Sequence, residues 1–269
     1  MGVPSFSLAV TKSSDAAGYL YEMGSIINST KRRTTPVMFM MKTDDETVLC
    51  LEMADSQVMM DDAAKITAHP KAQSCLNLTT KSDVYTAGGD DALKALYDSA
   101  TKSKTFSVKH FGDAGGYFKT VCKGVTLYYL KLTKYKLKEG NLSEFQTYLQ
   151  EVTTHYKEIG FTSFMTVAAD DTTVYAVEIG TPQLWMQHLK KTKADKAYNA
   201  NIQASQKLLD STDHYYYGNI TDMMMTVNSA QVRASMFGGF GGPTAAPAAT
   251  SGPVVTAKNL DEIEVMGWF

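Results

Sequence analysis

No apolar run in this chain approaches the roughly 20 residues needed for a helix to span a bilayer, which predicts no membrane insertion. Cysteine is scarce: Cys50, Cys75 and Cys122 stand far apart, with no C-x-x-C among them. An odd, scattered set argues against both a disulfide framework and a zinc site, and fits a reducing compartment. His69, His110, His155, His188 and His214 include no H-x-x-x-H pair. With no G-x-G-x-x-G, Walker loop or G-x-S-x-G either, the expectation is no metal, no cofactor and no enzymatic activity. An excess of one charge is missing as well. Lys and Arg total 26 against 28 Asp and Glu, a net charge of −2 spread along the chain. That balance gives no electrostatic reason to expect nucleic acid or an anionic membrane as partner. The opening MGVPSFSLAV lacks the basic start and small-residue cleavage site of a secretory leader. It also puts Phe6 where a myristoylation signal has Ser or Thr.

What the chain has is a sentence said twice. DDETVLCLEMADSQVMM (Asp44–Met60) and DDTTVYAVEIGTPQLWM (Asp170–Met186) align without a gap at an offset of 170 − 44 = 126. Identities fall at Asp44/Asp170, Asp45/Asp171, Thr47/Thr173, Val48/Val174, Glu52/Glu178, Gln57/Gln183 and Met60/Met186. An offset near half of 269 residues favours two similar units, and the 44% apolar and 20% charged fractions are those of a globular protein.

The second copy is the clearer one. Val125–Leu137 is rich in β-branched and aromatic residues and reads as a strand. Leu142, Phe145, Leu149, Val152, Tyr156 and Ile159 follow at spacings of three and four, one apolar helical stripe that Gly160 ends. FTSFMTVAA and TVYAVEIG are strands joined by the turn DDT. Thr181 with Pro182 starts a helix that runs in two pieces, and HYYYGNITDMMMTV returns as strand. The order is β-α-β-β-α-β, the ferredoxin-like plan. The first copy matches it: Tyr19, Met23 and Ile26 sit 126 before Phe145, Leu149 and Val152, and Ser56 is placed to cap a helix that Pro70 interrupts. The predicted division is 1–89 for the first repeat, 90–123 for a connecting helix (DDALKALYDSA) and a glycine-turned hairpin, and 124–235 for the second repeat. A Gly/Ala/Pro-rich linker fills 236–256 and a C-terminal segment 257–269.

In the third strands Leu49, Leu51 and Met53 oppose Val48, Cys50 and Glu52, and the second copy repeats this alternation. Helices cover one face of such a sheet, and the other face here is also mostly apolar. The economical cover is the sister repeat, sheet against sheet. That topology resembles the dimeric α+β barrel superfamily, such as the antibiotic-biosynthesis monooxygenases, with both halves fused in one chain as a pseudo-two-fold α+β sandwich or barrel.

Candidate site residues are few. Asp44-Asp45 and Asp170-Asp171 could hold a hard cation, but they stand at hairpin tips, where Asp is favoured for turn geometry alone. Glu52 and Glu178 recur on an otherwise apolar strand face. In a barrel lumen such a carboxyl could act as a base; the structural alternative is a buried Glu hydrogen-bonded across the two repeats, or one at a wet rim. Trp185 and His188, three apart on one helix, are neighbours, and haem-degrading members of the barrel superfamily use Trp, His and Asn beside a cofactor. Here no Asn is placed with them and the first-copy counterparts are Met59 and Asp62, so a packing Trp beside a surface His is the simpler reading.

The C-terminal segment TAKNLDEIEVMGWF carries Leu260, Ile263, Met266, Trp268 and Phe269 on the flexible linker. An apolar, aromatic end on a tether reads as a docking peptide, with folding back onto its own domain as the alternative. A tether of about 20 residues spans roughly 25 Å, enough to reach an adjacent subunit. The tandem repeat and the Gly/Pro linker with its terminal NLDEIEVMGWF resemble the diatom pyrenoid shell proteins (PyShell family). The resemblance implies a chloroplast protein at the pyrenoid periphery. It would assemble with itself into sheets or tubes around the Rubisco matrix, tails docking on neighbours, and support CO2 fixation structurally without catalysis. The rival expectation is a small-molecule-binding protein or monooxygenase-like enzyme of the α+β barrel type, with Glu52, Glu178, Trp185 and His188 as its site.

Overall fold

A computed structural model describes residues 3–30, 37–100, 105–110, 116–117, 129–161, 163–217, 254–258 and 265–267. The chain forms two compact units, Met1–Phe111 with Leu260–Phe269, and Gly112–Asn259. In the first, β1 (Pro4–Ser13), α1 (Ala16–Ser29), β2 (Val37–Asp44), β3 (Thr47–Asp55), α2 (Ser56–Ala68), α3 (Ala72–Leu78) and β4 (Thr79–Gly88) are followed by α4 (Asp91–Ala100) and β5 (Phe106–His110). In the second, β6 (Gly116–Tyr117) precedes β7 (Tyr129–Leu137), α5 (Leu142–Glu158), β8 (Ser163–Asp170), β9 (Thr173–Gly180), α6 (Pro182–Ala194), α7 (Lys196–Gln206) and β10 (Leu209–Tyr217), and β11 (Val254–Lys258) comes later. The last strand, β12 (Val265–Gly267), belongs to the first unit.

The fold is α+β, with a ferredoxin-like repeat in each unit. Strand orders are β12-β2-β3-β1-β4-β5 and β11-β10-β7-β9-β8-β6, so the four central strands of each sheet follow one plan. Registers agree as well: Phe39 opposes Leu51 in the first sheet and Met165 opposes Val177 in the second, and 165 − 39 = 177 − 51 = 126.

Each helix layer packs on one face of its own sheet. Phe145, Leu149, Val152 and Tyr156 of α5 are buried against Val174 and Ala176 of β9, at a gain of roughly 1.5–3 kcal/mol for each large apolar side chain. Gly160, at φ 72°, ends the helix in the left-handed conformation that glycine adopts without strain. The Thr181 hydroxyl accepts a hydrogen bond from Leu184 N, and Asp195 caps the next piece by accepting one from Tyr198 N at 2.9 Å. In the first unit Tyr19, Leu20, Ile26 and Ile27 of α1 pack with Val48 of β3. The opposite sheet faces are buried too, with Leu49, Leu51 and Met53 in one unit and Tyr175, Val177 and Ile179 in the other. Apolar residues on both faces explain why these strands read as nearly continuous hydrophobic runs.

Two local expectations are corrected. Ser56 does not cap α2: Asp55 stands at the cap position, and the Ser56 hydroxyl instead donates to Asp90 Oδ2 at 2.6 Å and accepts from Val3 N at 3.3 Å. The connecting segment is no hairpin. β5 pairs parallel with β4, while β6 pairs antiparallel with β8, so the two strands serve different sheets. Pairing with long-range partners outweighs the turn chemistry of the intervening glycines.

Candidate functional site

Glu178 lies on the face of β9 shared with Val174 and Ala176, beneath the helices. The expectation of a carboxyl in a lumen on the helix-free face is therefore corrected. Tyr156 of α5 donates its hydroxyl to Glu178 Oε1, and Lys131, the cross-strand partner on β7, reaches Oε2 at 2.9 Å. His188 of α6 stands 3.5 Å from the Tyr156 hydroxyl through Nε2, and its Nδ1 is 3.1 Å from His155 Nε2. The His155 ring stacks on Tyr198 at 4.1 Å, and Lys131 sits over the Trp185 ring at 5.7 Å. The result is one buried line of polar groups, Lys131–Glu178–Tyr156–His188–His155.

Electrostatics follow from this burial. Desolvation, aided by His155 and Lys131, pushes the His188 pKa down to about 3, and burial with nearby Lys191 lowers His155. Both imidazoles are neutral at pH 7. Burial, with the Glu178 carboxylate beside it, drives the Tyr156 hydroxyl well above its ordinary value. The line can hold protons in a fixed order.

Trp185 and His188 are brought together with Glu178 as neighbours of one cluster, and His188 is not the surface residue the sequence suggested. Tyr156, His155, Lys131 and Tyr198 are the members that sequence reasoning missed. The first unit does not repeat the arrangement. Stepping back by 126 from Tyr156, His155 and His188 reaches Thr30, Ser29 and Asp62, and only Glu52 is kept. Glu52 helps to raise the pKa of Tyr97 in α4, which burial drives up to about 12. The aspartate pairs act in turns: Asp170 Oδ1 accepts from Thr172 N at 2.8 Å and Asp44 Oδ1 from Glu46 N at 3.0 Å.

A second candidate site is formed by the sheet edges. The outer edge of β4 takes β5 in parallel, and the outer edge of its counterpart β10 takes β11 in parallel. Tyr85 opposes Lys109, and Tyr215 opposes Lys258. The outer edge of β8 takes β6 antiparallel, Gly116 opposite Met165; that of β2 takes β12, Gly267 opposite Phe39. Since 165 − 39 = 126, Gly116 and Gly267 hold equivalent places. Two of three letters agree there as well: Gly116-Tyr117-Phe118 against Gly267-Trp268-Phe269. The C-terminal segment thus supplies strands at the sheet-edge places that the connector supplies in the opposite sheets. Of the five tail residues singled out from sequence, Met266 opposes Met40 on the β2 edge of its own chain. Leu260, Ile263, Trp268 and Phe269 lie outside the described residues.

Among known proteins, no family model and no curated protein matches the chain. Solved structures do. A candidate monooxygenase of Lactobacillus acidophilus is 12% identical, covering 80% of this chain and 92% of its own, with a TM-score of 0.36. A candidate monooxygenase of Fusobacterium nucleatum is 9% identical, covering 81% and 95%, at 0.38. An anthrone oxidase-like protein is 10% identical, covering 80% and 89%, at 0.35. Likeness of this degree speaks to fold alone. The similar structures are described as monooxygenases and as anthrone oxidase-like, against the expectation that the chain is not an enzyme.

Proposed function

We propose that this chain is a self-associating subunit that offers its C-terminal strand to the β2 edge of a second copy, building extended assemblies. The observation carrying this reading is the equivalence of tail and connector: β11 and β12 repeat the places of β5 and β6. Strand addition is a main-chain interaction, so a β2 edge accepts β12 from its own chain or from a neighbour in the same register. Exchange of an identical element is a low-cost route to association, and a head-to-tail contact can propagate. The likeness to the pyrenoid shell proteins extends the proposal to a layer at the edge of a Rubisco matrix in the chloroplast stroma.

The test is electron microscopy of the purified chain across a concentration series, with and without Asn259–Phe269. Extended sheets, tubes or filaments that vanish on truncation, while circular dichroism is unchanged, are the expected outcome. Uniform small particles at every concentration, or assembly indifferent to the truncation, would sink the reading.

A second reading, a small-molecule-binding or monooxygenase-like protein of the α+β barrel type, is favoured by the buried line through Glu178 and Tyr156 and is in keeping with the fold matches. It requires Glu178→Gln to abolish ligand binding or turnover with little loss of stability. Loss of stability without any ligand or activity to lose would count against it.

A further inference from the structure

We propose that the first unit holds a binding site for a neutral, mostly apolar small molecule carrying a hydroxyl group, in the cavity between α1, α3 and the start of β5. This site is distinct from the Glu178 cluster and does not depend on the assembly reading. The cavity measures about 470 Å³ and is walled by Tyr19, Met23, Ile26, Cys75, Leu76 and Phe106. That size and lining suit a small organic ligand.

The two units fill this place differently. Tyr198 of α7 packs in one core with Phe145, Leu149, Val152 and Leu209, and the residue 126 earlier is Ala72 of α3, which lines the cavity. The counterparts of Phe145, Leu149 and Val152, each 126 earlier, are Tyr19, Met23 and Ile26. All three line the cavity. The second unit thus fills with an aromatic ring the space that the first leaves open.

Hydrogen bonding defines what fits. Thr67 and Thr79 donate their hydroxyl protons to Ala63 O at 2.8 Å and Cys75 O at 2.9 Å. Gln73 donates through Nε2 to Asn77 Oδ1 at 2.9 Å. Ser29 donates to Ile26 O, so the 2.9 Å contact to His69 Nε2 is a donation from the ring, whose Nδ1 accepts from Lys71 N at 3.1 Å. Each of these side chains spends a donor hydrogen on the protein, and Thr67, Thr79 and Gln73 keep oxygen lone pairs that can accept from a ligand, while Gln73 keeps one amide hydrogen. The nearest charges, Lys71 and Glu22, pair with each other at 2.9 Å. An ion would enter without a counter-charge, which is costly, whereas a neutral donor finds acceptors.

The test titrates the full chain at pH 7 with 1-naphthol, naphthalene and 1-naphthoate, followed by fluorescence or calorimetry. The expected result is saturable one-to-one binding of 1-naphthol, five- to tenfold weaker binding of naphthalene (roughly the worth of one hydrogen bond), and none of the carboxylate. Ala72→Phe and Cys75→Leu, which fill the cavity from neighbouring positions on α3, should each weaken 1-naphthol binding at least tenfold with an unchanged circular dichroism spectrum. Should one of them fail to fold, the other decides. Absence of saturation, equal binding of all three probes, or wild-type affinity in a folded filling variant would overturn the site.

Discussion

Lowering the pH should destabilise the second unit well before its carboxylates titrate, and His188 should carry a large share of the effect. His188 and His214 have pKa values pushed down to about 3 by burial, with Lys131 adding to each, while His155 shifts in the same direction. An unfolded chain holds histidine near 6.5. The folded values are depressed, so the unfolded state takes up protons first as pH falls. The stability these groups contribute is complete above pH 6.5 and drains away as pH drops toward 3. At pH 5 the solution is 1.5 units below the unfolded value, worth about 2 kcal/mol per group, or roughly 4 kcal/mol together. Asp170 and Glu158 have folded pKa values that are lowered from an already acidic range, so their losses come at lower pH. The assay is urea unfolding at pH 7, 6 and 5, read from Trp185 fluorescence on a Trp268→Phe background. Trp185 is buried in the core of this unit. His188→Gln should be less stable than its parent at pH 7 but lose about 2 kcal/mol less on going to pH 5. An identical pH slope in parent and variant would refute the assignment of a buried, neutral His188.

Gly180→Ala would place a methyl carbon 2.7 to 3.0 Å from ring atoms of Phe161, whose ring is held between Tyr156 and Trp185. A cost of about 1–3 kcal/mol is expected in chemical unfolding, whereas the equivalent position 126 earlier is already Ala54. Tyr156→Phe leaves Glu178 with the Lys131 ion pair but without the phenol, and should lower the unfolding free energy by about 1–3 kcal/mol. If the tail repeats the connector, Trp268→Tyr, which restores the residue found at Tyr117, should assemble normally under the microscope, while Trp268→Ala should not.

The β-α-β-β-α-β order was legible because both copies carry strong periodicity, and the stripe from Leu142 to Ile159 fell within a residue of α5. Which face Glu178 occupies was not. Period two fixes that Glu178 and Val177 point apart, but apolar residues on both faces leave no polar contrast to show which side the helices cover. Nor could spacing reveal that Tyr156 and Lys131 converge on the carboxylate, since they come from a helix and a strand separated from Glu178 by long stretches of chain. The connector was missed for another reason. Its match to the tail is two identities in three residues at an offset of 267 − 116 = 151, so a gapless comparison at 126 passes over it.

If β12 is exchanged between copies as proposed, a consequence for dimensionality follows. A subunit that gives one strand and receives one has a valence of two, and units of valence two make rows or rings, whatever their concentration. A layer requires a third point of attachment on each subunit. Its geometry must come from a surface other than the β2 edge, and it can be strong or weak independently of the tail. Loss of the tail and loss of that lateral contact should therefore leave different remnants, isolated subunits joined sideways in the one case and bare filaments in the other.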